Sequence, residues 1–151
     1  MRGLSDTDVD AVLRLDTMTV ADYPGGVATQ HEALDRRTAT PSASRRAFGA
    51  FDPTGELVAM TFVDLDGAVA ETHLTVVHPA WRGHGLSVAV KAASVLTLAF
   101  EGVTRFRTGG SADNVAILRA NQAVGYVRDE EWVTLARAGA PTTGHGNVGA
   151  L

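Results

Sequence analysis

The chain has 151 residues, no cysteine, and 13 basic against 17 acidic side chains, for a net charge of −4. That length suits one domain able to bury a core without cross-links, and the lack of cysteine excludes a disulfide framework, a thiol nucleophile and a thiolate zinc site. The acidic balance argues against nucleic acid as a partner, because a phosphate backbone selects a basic surface.

The N-terminal Met1-Arg2-Gly3-Leu4 lacks the apolar stretch of a signal peptide. The longest apolar run, Leu86 to Phe100, is interrupted by Ser87, Lys91, Ser94 and Thr97, and is too short to span a bilayer core of about 30 Å. A cytoplasmic protein with no membrane partner and no metal is the expectation. Lys91 is the sole lysine among many arginines, and it reads as a composition bias rather than as chemistry.

In chain order, Ser5 to Leu15 opens with a capping residue and places Val9, Val12, Leu13 and Asp16 at helical spacing. Tyr23-Pro24-Gly25-Gly26 marks a loop, and Thr29 to Arg37 a second, weaker helix. Arg46 to Phe51 and Glu56 to Asp64 are strand-like runs around the turn Asp52-Pro53-Thr54-Gly55. Asp66-Gly67 leads into a third strand, Ala68 to Val77.

His78 to Gly85 is an irregular loop, and Leu86 to Phe100 a helix apolar on nearly every face, which predicts burial against a sheet. Gly102 caps it. Thr104 to Thr108 follows as a strand, Gly109 to Asp113 as a loop, and Asn114 to Val124 as a helix. Tyr126 to Arg128 and Trp132 to Ala136 read as a closing pair of strands. Residues 1–138 form one domain in this reading, and 139–151, rich in Gly and Thr, a mobile tail. Antiparallel strands followed by one strand–helix–strand crossover predict an α/β (α+β) fold, a mixed sheet with helices on both faces.

Arg82-Gly83-His84-Gly85 lies between a strand and a long helix. A helix N-terminus offers unpaired N–H groups and about half a positive charge, and glycines let several N–H groups converge on one anion. Neither G-x-x-x-x-G-K-[ST] nor a full G-x-G-x-x-G is present, so the P-loop and dinucleotide-fold readings fail.

Val77-His78-Pro79-Ala80-Trp81-Arg82-Gly83-His84-Gly85-Leu86-Ser87 resembles motif A of the GNAT superfamily of N-acetyltransferases, V-x-P-x-x-[RQ]-x-x-G-x-[GA], with Ser87 at the small final position. Asn114-Val115-Ala116-Ile117-Leu118-Arg119-Ala120-Asn121-Gln122-Ala123-Val124-Gly125-Tyr126 is similar to the family segment N-x-x-M-x-x-x-N-x-x-L-G-F. The resemblance covers roughly Glu56 to Arg137 and is strongest to actinobacterial-type domains, some of which occur as tandem halves.

The resemblance implies a mostly antiparallel sheet with a splayed central strand pair, and acetyl-CoA as co-substrate. Backbone groups of Thr75, Val76 and Val77 would pair with the pantetheine arm. N–H groups from Gly83, His84, Gly85, Leu86, Ser87 and Val88, behind Arg82, would hold the pyrophosphate. Asn114 and Asn121 would reach the cofactor from the next helix, Asn114 also serving as an N-cap. The family's domains open with a strand, for which only Met1 to Leu4 are available here. The chain therefore reads as one half of a tandem protein or as one that borrows an edge, which leaves a homodimer open.

Direct acyl transfer needs a base for the amine and is helped by an acid for the thiolate. Strict alternation puts Glu71, His73 and Thr75 on one strand face, with Glu71 the first candidate base and His73 the second. A main-chain N–H near Val76 or Val77 is the candidate oxyanion donor. His78 and His84 read as loop residues. The family often carries a tyrosine acid where Asn121 stands; a neutral amide has no useful proton to give, so the catalytic role expected of Asn121 is to hydrogen-bond the sulfur or hold a water, and Tyr126, at the usual Phe, reads as packing. The acceptor is expected to be a primary amine of a small molecule or a protein; the resemblance implies that Asp16 to Arg46 sets its specificity, while the mixed charge of that segment by itself reads most simply as a solvated helix surface. Two other readings are a non-catalytic acyl-CoA-binding regulatory domain and a general nucleotide-binding protein.

Overall fold

A computed structural model describes residues 1–22, 32–111, 113–129 and 131. Five strands form one sheet in the order β1-β2-β3-β4-β5. They are β1 (Arg2–Gly3), β2 (Arg45–Phe51), β3 (Leu57–Asp66), β4 (Val69–Val77) and β5 (Arg105–Thr108). The helices are α1 (Val9–Thr19), α2 (Arg36–Ala39), α3 (Leu86–Phe100) and α4 (Val115–Ala123). The first four strands are antiparallel neighbours, and β5 joins β4 in parallel.

An opening strand is thus present: Arg2 pairs with Gly49 and Gly3 with Phe48. Asp8 fastens it. Arg2 donates to both Asp8 carboxylate oxygens at 2.7 and 2.8 Å, and the Ser5 N–H donates at 2.9 Å. These bonds, Arg2's first, hold the Asp8 carboxyl down at about 2. A turn of 3-10 helix precedes α1, so the regular helix runs later than the 5–15 expected.

Val9, Val12, Leu15 and Thr19 of α1 are buried at helical spacing. Val9, Val12 and Leu15 pack with Leu4, Ala47, Met60, Phe62, Leu74 and Val76 on one face of the sheet. The opposite face carries α3. There Phe48, Val63, Ala70, Leu98 and Val103 form a second cluster, and Ala50, Val58, Ala59 and Val90 a third below the start of the helix.

Several expectations are corrected. The second helix is four residues long and begins at Arg36, because the Asp35 carboxylate accepts the Thr38 N–H at 2.7 Å and caps it there; residues 29–31 of the expected span lie outside the described set. The helix α3 keeps its expected bounds but buries one side only, leaving Leu96 71% and Phe100 95% exposed. Tyr126 to Arg128 are not a strand. Gly125 at φ 99° and the bonds Gly125 N–H to Gln122 C=O and Tyr126 N–H to Asn121 C=O use this segment to close α4. The expected strand at 132–136 and the tail at 139–151 lie outside the described residues.

Candidate functional site

The sheet forks between β4 and β5. Their register runs from Val69 opposite Arg105 to Thr72 opposite Thr108 and stops. From His73 to Val77, β4 keeps β3 on one side and, among the described residues, has no strand on the other. This free edge is about 16 Å long at roughly 3.3 Å per residue. The His78 N–H donates to the Val58 carbonyl on the β3 side. Backbone groups of successive residues alternate sides, so Thr75 and Val77 aim theirs at the free edge, whereas Leu74 and Val76 aim theirs at β3. Of the three residues expected along a bound arm, Val76 is therefore turned away.

A bulge sits at the fork. Phe62 opposes Leu74, but Val63 opposes Thr72, so His73 is the extra residue. One added residue reverses the side-chain phase. Ala70 packs in the α3-side cluster, yet Leu74, four residues on, packs in the α1-side cluster. Glu71 and Thr75 consequently lie on opposite faces, which corrects the strict alternation read from the sequence. Thr75 is buried on the α3 side. The Thr61 hydroxyl gives its proton to the Leu74 carbonyl at 3.0 Å, so Thr75 Oγ1 is the donor in its 2.8 Å bond to Thr61 Oγ1. Glu71 is exposed on the α1 side, opposite Asp64. His73 stands 3.7 Å from Asp64, which is also 3.5 Å from Arg45.

The free edge ends at a turn leading into α3. Gly83 and Gly85 take left-handed φ of 78° and 74°, and an added Cβ at either would meet open space. Only glycine adopts this shape without strain. The first helical bond is Ala89 N–H to Gly85 C=O. Among the described residues, the N–H groups of Gly83, His84, Gly85, Leu86, Ser87 and Val88 have no backbone acceptor. They sit at the positive end of a 15-residue helix, so the cradle fits a pyrophosphate.

The flanking side chains brace the turn. His78 Nδ1 accepts the Ala80 N–H, His84 Nδ1 lies at hydrogen-bond distance from the Trp81 and Arg82 carbonyls, and Arg82 pairs with Asp22 at 3.0 Å. Arg82 Nε also donates to the Val77 carbonyl at 3.3 Å. Asn114 caps α4 by accepting the Ile117 N–H at 3.1 Å. Asn121 is buried, and its Oδ1 has no hydrogen-bond partner among the described residues.

The sequence reading missed the polar group at the fork on the α3 side. Lys91 is 1% exposed. Its Nζ donates to Thr108 Oγ1 at 3.1 Å and lies 5.7 Å from the centre of the Tyr126 ring. Burial lowers the ammonium from 10.5 to about 8. Burial raises the Tyr126 phenol, and the nearby Thr72 partly offsets this. The available signal was one charged residue inside an apolar helix. Two open surface depressions, one beside Arg2 and Arg14 and one beside Arg37 and Arg45, lie away from the cradle.

No protein-family model matches the chain, and no curated protein matches it. Solved structures do. The aminoglycoside 6'-N-acetyltransferase AAC(6')-Ih from Acinetobacter baumannii superposes with a TM-score of 0.62 at 19% identity, covering 89% of this chain and 95% of that one. AAC(6')-Iy in complex with CoA gives 0.68 at 15% identity, covering 91% and 93%. The ribosomal-protein-S18-alanine N-acetyltransferase from Escherichia coli gives 0.65 at 18% identity, covering 82% and 74%. At these identities the likeness concerns the backbone: the chain has the fold of the GNAT acetyltransferases.

Proposed function

We propose that the chain is an N-acetyltransferase that moves an acetyl group directly from acetyl-CoA to a primary amine of a small molecule or a protein. The observation that carries this is the free edge of β4 ending at a cradle of unpaired N–H groups. An extended pantetheine arm fits the edge as a missing strand would, and the cradle takes the pyrophosphate. Arg82 adds positive charge beside it, Asn114 and Asn121 would reach the cofactor from α4, and the small Ser87 leaves the cradle open.

In this reading the thioester lies at the fork. Glu71, or His73 at the bulge, takes the proton of the incoming amine on the α1 face, directly or through water. Of the two residues whose N–H groups reach the free edge, Thr75 is nearer the fork and is the main-chain donor for the developing oxyanion; Val76 is withdrawn from that role by its orientation, and Val77 lies at the cradle end of the edge. The bonding is balanced by a C–N bond formed and the C–S bond broken, with no covalent enzyme intermediate.

The test has two parts. Acetyl-CoA at ~100 times its Kd should stabilise the fold by about 2.7 kcal/mol, a rise of several degrees in Tm. Free CoA should then appear when acetyl-CoA is offered with a panel of primary amines. No Tm shift at millimolar acetyl-CoA would refute the reading, and tight binding without turnover on any amine would favour a non-catalytic acyl-CoA-binding domain.

A further inference from the structure

The acyl-transfer reading leaves the leaving group without an acid, since an amide occupies the position of the family's tyrosine. The fork holds another candidate. Lys91 is six residues past Gly85, about 9 Å down the axis of a helix that packs across β2, β3 and β4, and its side chain reaches the fork. Its Nζ is bonded to the Thr108 hydroxyl, and Thr108 is the last residue of β5, opposite Thr72 where the two strands part. Thr108 is half-buried, while Lys91 behind it is sealed from solvent. The pair lies on the α3 face, opposite to Glu71, so acid and base would flank a thioester held between the strands.

Resting on the acetyltransferase reading, we infer that Lys91 and Thr108 form the proton relay to the departing CoA sulfur, Thr108 touching the sulfur and Lys91 recharging Thr108. As the C–S bond breaks, the Thr108 hydroxyl proton passes to sulfur. A proton from Nζ passes to Thr108 Oγ1, and solvent later returns one to the neutral lysine. Lys91 is thus a positioning residue that acts through Thr108.

The electrostatic surroundings suit this. Tyr126 is the titratable side chain that the described residues place at Nζ. Glu71 lies on the other face, Arg119 of α4 is exposed, and Arg46 and Glu101 pair with each other at 2.7 Å at the far end of α3. Burial, not a charged partner, sets the ammonium near 8, close to an ordinary thiol at about 8.5. The donor is protonated below that value, so turnover falls as pH rises through about 8.

Because Lys91 is the only lysine, protein labelled with 15N at lysine Nζ reports this group alone. It is titrated free, with CoA, and with desulfo-CoA. Binding of CoA should move the midpoint up by about 1 pH unit or more, as a nearby thiolate favours the ammonium, and desulfo-CoA should not. Binding of both with no difference at Lys91 overturns the relay and leaves the acetyltransferase reading intact; binding of neither overturns both. In turnover assays with an accepted amine, Lys91→Met should lower kcat about 100-fold, keep the CoA Kd within about twofold, and abolish the basic limb. An unchanged limb or kcat overturns the relay, and the labelled titration decides it alone if the variant does not fold.

Discussion

Replacing Lys91 by methionine should stabilise the protein. The side chain is 1% exposed and its ammonium titrates at about 8 instead of 10.5. One pKa unit corresponds to about 1.4 kcal/mol, so keeping this charge buried at neutral pH costs about 3 kcal/mol. Methionine fills similar space without charge and forgoes one hydrogen bond to Thr108, worth about 1 kcal/mol. The net gain is about 2 kcal/mol, or a Tm higher by about 4–8 °C for a chain of this size. The sign with pH follows from linkage. Between about 8 and 10.5 the unfolded chain binds more protons at this site than the folded one, so parent stability rises with pH across that window. The advantage of Lys91→Met is full below pH 8 and fades toward 10.5. Thermal melts of both proteins from pH 6 to 11 would measure it. A gap that does not change with pH, or a variant less stable at pH 7, would refute the argument. A residue retained against such a cost is expected where activity requires it.

Gly85→Val should add strain of about 1–2 kcal/mol at its positive φ and put a side chain into the cradle; calorimetric CoA affinity within about twofold of the parent would show that the anion sits elsewhere. Glu71→Gln should slow turnover by roughly 10²-fold and alter the acidic limb of the pH profile, whereas an unaltered profile shifts the base to His73 or to water. Gly49→Ala places a Cβ 2.5 Å from Leu57 Cδ1 and 2.7 Å from Leu4 Cδ2. Both leucines must move, at a cost of about 1–3 kcal/mol, and an unchanged melting curve would contradict close packing of β2 against the N-terminal segment.

The local signals of this sequence determined much of the architecture. Asp52 and Gly55 mark the β2–β3 turn, Gly102 ends α3, and the bounds of α3 were legible as a long, mostly apolar run between glycines. The cradle was legible too, because a strand, two glycines and a long helix need only short-range geometry to gather N–H groups. Tertiary structure decided what depends on residues distant in the chain. The bulge at His73 arises from pairing with β3 and turns Glu71 away from the Thr75 face; no period within β4 reveals it. The length of α2 and the release of Tyr126 from any strand were set by capping bonds that outweighed weak propensities. Lys91 became informative only when the helix, β5 and the segment after α4 met around it. A sequence records that a charge exists, but its desolvation is a property of the packed neighbours.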